Sequence, residues 1–259
     1  MDDKQYGFDD LQAIMDRLRD PQSGCPWDLE QTLKTLRTYL LEEVYEALEA
    51  IDSNDPQALC EELGDSLFEI VFLAKVSEQE GHFDIHQVID KISRKMIRRH
   101  PHIFTNDVQA QSAAEVEGIW ARAKVEEKND MASILQGVPR QLPALLRAYR
   151  LSERVSKVGF DWEKARDVLD KLQEETAELV QAAELGDREQ LEAEFGDLLF
   201  TVVNLGRHLE ISAEDALRRT CDKFVDRFSR VELLLKQQGL DLQSASLDQM
   251  EQAWSAVKN

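Results

Sequence analysis

Two pairs of carboxylates between Lys171 and Asp197 are spaced for metal chemistry. Glu175 and Glu178 lie three residues apart, as do Glu194 and Asp197, and Glu174 adjoins the first pair. Residues three or four apart share one face of a helix. E-x-x-E and E-x-x-D therefore each present two carboxylates from one face. Such oxygen-only, hard donors suit Mg²⁺ or Mn²⁺, whereas zinc would recruit His or Cys. Four acids brought together repel one another and call for cations. Glu175, Glu178, Glu194 and Asp197 are the expected metal ligands. Glu174, rotated partly off that face, is the candidate general base or outer residue.

Phosphate chemistry needs positive charge beside the metal. Lys223 and Arg227 are one turn apart, and Lys171 precedes Glu175 by one turn; all three can neutralise phosphate oxygens. Trp254, with Lys258 one turn beyond, is a platform on which any base could stack. Asn204, two turns after Asp197, can donate to a ribose hydroxyl or a phosphate. Each of these residues has a plainer reading as well. Trp254 suits a core or an interface, the cations suit ion pairs with Asp222 and Asp226, and Asn204 suits a structural hydrogen bond.

These side chains meet only if two helices fold back on one another. Gly186 can take the left-handed conformation that ends a helix, and Asp187 can cap the next. The rest of the chain also reads as helix, with apolar residues at helical spacing in Leu33, Leu36, Leu40, Val44, Ala47 and Ile51. Asp20 to Trp27 breaks the first helix. Asn54, Asp55 and Pro56 form a C-cap, N-cap and first helical residue, and His100-Pro101-His102 ends a basic segment that begins at Lys91.

The acidic hairpin occurs twice. At an offset of 132 residues, Leu40, Glu42, Glu43 and Glu46 fall on Leu172, Glu174, Glu175 and Glu178. Asp55, Glu62, Gly64, Asp65 and Phe68 fall on Asp187, Glu194, Gly196, Asp197 and Phe200 without a gap. Further along, Lys95 and Arg99 match Lys223 and Arg227, and Trp120 with Lys124 matches Trp254 with Lys258. The expectation is two homologous all-α helical-bundle domains, 1–128 and 146–259, joined by a linker over 129–145. Glu43, Glu46, Glu62 and Asp65 make a second metal set.

Composition narrows the function classes. The chain has 259 residues, is 42% hydrophobic and carries a net charge of -20, which argues against nucleic acid and acidic membranes as partners. Cys25, Cys60 and Cys221 match no zinc spacing and suit a reducing cytoplasm. No apolar run is long enough for export or a membrane span.

The doubled Glu-Glu-x-x-Glu and Glu-x-x-Asp resemble the MazG family of nucleoside triphosphate pyrophosphohydrolases. Gly24-Cys25-Pro26-Trp27-Asp28, Arg98-Arg99-His100-Pro101-His102-Ile103-Phe104, Gly137-Val138-Pro139 with Leu142-Pro143-Ala144-Leu145, and Val158-Gly159-Phe160-Asp161-Trp162 extend the likeness over nearly the whole chain. The resemblance implies an all-α NTP pyrophosphatase bundle, dimerisation, Mg²⁺ dependence, and hydrolysis of NTPs to NMP and pyrophosphate; stacking on Trp254 adds the expectation of a broad base range. Water activated by metal would attack the α-phosphorus.

Lys171 and Asn204 stand where the first copy has Tyr39 and Phe72. The second copy is therefore the expected catalytic domain, and the first a structural or regulatory one. The basic run Lys91, Arg94, Lys95, Arg98 and Arg99 is read as the counterpart of the Lys223 helix, against a solvated face. His100 and His102 are expected to be structural. The competing function is a non-catalytic module that senses nucleotide or binds protein. Short bundles leave apolar faces open, so a homodimer is expected.

Overall fold

The computed structural model describes residues 4–105, 112, 115–116, 118–119 and 133–257. Among these residues there is no β-strand, and the architecture is all-α. The chain divides into two compact units, one within 1–129 and one within 130–259.

The first unit contains α1 (Phe8–Leu18), α2 (Pro26–Glu30), α3 (Leu33–Asp52), α4 (Pro56–Gln79), α5 (Ile85–Arg99) and α6 (Pro101–Phe104). Local chemistry sets the ends of its central pair. Thr32 caps α3 by accepting from the Thr35 amide. Asn54 takes a left-handed φ of 54°, and the Asp55 carboxylate accepts from the amides of Gln57 and Ala58 at 3.0 and 3.1 Å. Pro56, at the first position of α4, has no N–H left unpaired there. α3 and α4 thus form an antiparallel hairpin, on which α1 and α5 pack through α4. Met15, Leu36, Val71, Phe72, Val76 and Ile85 form its core.

The second unit contains α7 (Ala144–Ser156), α8 (Ala165–Leu185), α9 (Arg188–His208), α10 (Ala213–Gln237) and α11 (Leu247–Ala256). Here Gly186, at φ 72°, ends α8, and Asp187 caps α9 by accepting from the Glu189 and Gln190 amides at 3.0 and 3.2 Å. The same sequence logic therefore builds the same hairpin twice. α7 packs on α9 and α10, and α11 closes on the far part of α10 around Val231, Leu235, Ala245 and Ala253. Ahead of α7, the Arg154 guanidinium donates to the carbonyls of Ile134, Gln136 and Gly137, tying the Gly137-Val138-Pro139 segment to that helix.

Candidate metal centre and active site

Hairpin register explains which acids meet. Counted from Gly186, Glu178 and Glu194 are each eight residues away, while Glu175 and Asp197 are each eleven. In an antiparallel pair, residues equidistant from the turn face each other at one level. One carboxylate oxygen from each of Glu175, Glu194 and Asp197 lies within 4.8 Å of the other two. Glu175 is 5% exposed, Glu194 half-buried and Asp197 exposed, so the trio opens from the helix interface towards solvent. Glu178 is half-buried, nearer the turn, and not part of that trio.

Lys171 is committed to the acids rather than held apart from them. Its ammonium lies 2.7 Å from Glu174 and 2.9 Å from Glu175, and these two hydrogen bonds raise its pKa. Glu174 is exposed and shares that ammonium, which places it at the rim of the trio.

The first unit repeats the arrangement with a different charge balance. Glu43, Glu62 and Asp65 bring one oxygen each within 4.8 Å. Glu46 lies level with Glu62 across the hairpin and is one of the acids that act on it. Desolvation, then the neighbouring acids, raise the pKa of both Glu43 and Glu62. Glu69, one turn past Asp65, joins this acidic surface and was missed by motif spacing. It is 8% exposed, and its Oε2 is buried with no hydrogen-bond partner. No spacing in the sequence singles it out; the repeat offset pairs it with Thr201, which is also buried.

Asn204 and its counterpart Phe72 are both interior, at 1% and 0% exposure. The contrast between them is one of buried chemistry, not of a face presented to phosphate. The Asn204 amide donates to the Phe200 carbonyl at 3.5 Å, and its oxygen accepts from Arg207 at 3.2 Å. Arg207 also grips Asp161, with one contact at 2.8 Å, and His208 lies 3.1 Å from the same carboxylate. The Arg207 hydrogen bond holds the Asp161 pKa low. Arg207 and His208 were not singled out by spacing. Their partner Asp161, within Gly159-Phe160-Asp161-Trp162, was the available clue.

On the second unit's other helices, the Arg227 guanidinium lies 4.9 Å from the Trp254 ring centroid, and Phe224 tilts against that ring at 5.3 Å. Trp254 is half-buried against the α10–α11 core, so the structure joins two candidate residues while also giving the tryptophan a packing role. Lys223 is exposed on α10, a helix that packs on α9. Asp226 pairs with Arg230 at 2.7 Å. In the first unit, Lys91 and Lys95 line a cavity of about 300 Å³ along α5 with Phe83, Gln87, Val88 and Ile92. The His100 ring binds its own helix through the Met96 carbonyl at 2.7 Å, and His102 is half-buried. Trp120, Lys124 and Lys258, and linker residues 129–132, lie outside the described residues.

The donor set fits a hard divalent cation. Each trio supplies three carboxylate oxygens, no His or Cys joins either group among the described residues, and the mutual repulsion of the acids is what such a cation would offset.

The chain matches the model of the MazG nucleotide pyrophosphohydrolase domain twice, over residues 31–104 and 164–231. Each match spans one acidic hairpin. It is 46% identical over 255 residues to a nucleoside triphosphate pyrophosphohydrolase of Escherichia coli K12, with 97% of both chains covered. It is 41% identical over 251 residues to the nucleoside triphosphate pyrophosphohydrolase/pyrophosphatase MazG of Thermotoga maritima, covering 97% of this chain and 95% of that one. With the domain present in both halves and the likeness running nearly end to end, this chain belongs to the MazG family of nucleotide pyrophosphohydrolases.

Proposed function

We propose that this protein hydrolyses nucleoside triphosphates to the monophosphate and pyrophosphate, with its site in the second unit. The observation that carries the reading is the Glu175, Glu194 and Asp197 trio, positioned by a capped hairpin and flanked by Lys171. The relatives' names give the substrate class.

Glu175, Glu194 and Asp197, with Glu178 one turn away, would hold Mg²⁺ or Mn²⁺. When bound, the cation supplies charge to phosphoryl oxygens and acidifies a coordinated water. The chain's own residues orient and neutralise. Glu174, freed from Lys171, accepts the proton of the attacking water, while Lys171 turns its charge to the phosphates. Lys223 and Arg227 offset the charge that builds on the leaving pyrophosphate. Trp254, backed by Arg227 and with Lys258 nearby in sequence, stacks the base and discriminates little among bases or sugars. Asn204 acts through Arg207, holding it on Asp161.

The first unit, 1–128, serves as the structural or regulatory partner of a catalytic 146–259, with 129–145 as linker; Glu43, Glu46, Glu62 and Asp65 form its own metal set. Tyr39 supports that division: it occupies the Lys171 position and stands edge-on to Trp27 at 5.6 Å, which leaves no ammonium there. A homodimer and a cytoplasmic setting complete the reading. No helix among the described residues is long and apolar enough to cross a membrane.

Incubation with Mg²⁺ and each of the NTPs and dNTPs, with separate detection of pyrophosphate and orthophosphate, tests it. Pyrophosphate and NMP in equal amounts are expected. Nucleotide binding without any product would favour a sensing module instead.

A further inference from the structure

One level beyond the acidic trios, the two hairpins carry opposite charge. Counted from the turn residues Asn54 and Gly186, this level holds Tyr39 facing Glu69 in the first unit and Lys171 facing Thr201 in the second. In the second unit the Lys171 ammonium already satisfies Glu175 at 2.9 Å. In the first, no lysine stands at that position, and a fourth carboxylate is buried there.

Glu69 is an unusual residue to bury. It is 92% removed from solvent by its 8% exposure, and its Oε2 finds no hydrogen-bond donor. Its immediate field is negative, set by Glu43, Asp28 and Asp65. Burial first, and then those charges, push its pKa up to about 7. The nearby guanidinium of Arg19 is engaged elsewhere: it donates to the carbonyls of Asp28 and Gln31 and to the Gln79 amide oxygen. An interior carboxylate with a spare oxygen, one turn past Asp65 and in the field of Glu43 and Asp65, two members of a trio already within ligand reach of one another, lacks one thing, a cation.

We infer that Glu69 is the fourth oxygen donor of a divalent-cation site formed with Glu43, Glu62 and Asp65, and that this site fills from solution with no nucleotide present. The inference rests on the reading of the first acidic set as a metal site; it puts Glu69 in the fourth place that the motif gives to Glu46, which is not part of the converging trio, and adds when the site fills. Affinity for hard cations rises with the number of charged oxygen ligands and with site rigidity. Four carboxylates without a competing ammonium bind a bare cation more tightly than three with Lys171 among them. The second site, by contrast, reaches full coordination once phosphate oxygens arrive and Lys171 turns to them. The first cation is thus a resident of the fold, and the second arrives with substrate.

The test is Mn²⁺ titration of the full-length, chelator-treated protein without nucleotide, read by the loss of the free Mn²⁺ paramagnetic resonance signal. One tight Mn²⁺ per chain is expected. Glu69→Gln should weaken it at least about 10-fold. Glu69→Asp, which keeps the charge but retracts it by a methylene, should weaken it by less, and Asp197→Asn should leave it in place. Circular dichroism confirms that each variant is folded. Wild-type affinity in both Glu69 variants, no tight Mn²⁺ in the parent, or loss of the site in Asp197→Asn would each overturn the inference. Pyrophosphate release measured on the same preparations separates the two readings. Product without the resident Mn²⁺ sinks this inference alone, and resident Mn²⁺ without product sinks only the hydrolase.

Discussion

At the scale of single residues, the sharpest division is between acids that face one another and acids that only share a motif. Glu175, Glu194 and Asp197 converge, so Asp197→Asn or Glu194→Gln should cut pyrophosphate release by at least about 100-fold with helical content retained. A steady-state assay beside circular dichroism checks this. Glu69 offers a prediction about stability in the metal-free protein. Its folded pKa of about 7 lies above the ordinary 4.5, so between those values the native state holds a proton the unfolded chain has lost. Stability therefore falls as pH rises through that window, and the loss is complete above it. Glu69→Gln removes this cost. Thermal melts in chelator should show the variant gaining a few degrees over the parent at pH 8 and almost nothing at pH 4.5. The motif made Glu43, Glu62 and Asp65 visible, whereas Glu69 has no motif. What makes it notable is burial without a partner, which no spacing encodes.

At the scale of elements, one turn in each unit decides whether the acids meet. Gly186 at φ 72° ends α8, and Asp187 starts α9. A side chain at φ 72° crowds the following carbonyl, so Gly186→Ala should destabilise the second unit by about 1 kcal/mol. Urea unfolding followed by circular dichroism measures it, with m unchanged. The hairpins, their caps and the breaks at Asp20 to Trp27 and at Pro101 were legible because caps and proline act locally. The placement of Trp254 was not legible. Its contact with Arg227 and Phe224 joins α10 to α11 across a connection whose path depends on core packing. Asn204 carried a similar ambiguity: its spacing from Asp197 suggested the ligand face, but the helix turns it inward to Arg207.

At the scale of the whole molecule, each unit leaves large apolar side chains in water. Leu41, Val44 and Tyr45 on α3 and Leu63, Leu67 and Ile70 on α4 are between 40% and 56% exposed. On α9, Phe195, Leu199, Phe200 and Val202 are 39–53% exposed. Faces of this kind belong against other helices. Sedimentation velocity should accordingly find a species of twice 29.7 kDa. Replacing Leu63 and Leu67 together with Glu should shift it towards the monomer, while the buried Phe72 core is left intact.

By itself, the sequence determined the helices, their turns, the doubling of the hairpin and the identity of the acids. Helical period, capping and repetition are short-range or self-referential signals, readable without knowing which surfaces meet. Only the tertiary structure decided which three of each four acids converge, that Lys171 holds Glu175, that Asn204 faces inward, and that Glu69 is buried unpaired. Those outcomes depend on the level at which two antiparallel helices pass and on what the neighbouring helices exclude from water. The register follows from the turn once the hairpin is known; the exclusion of water follows from the packing of the whole unit.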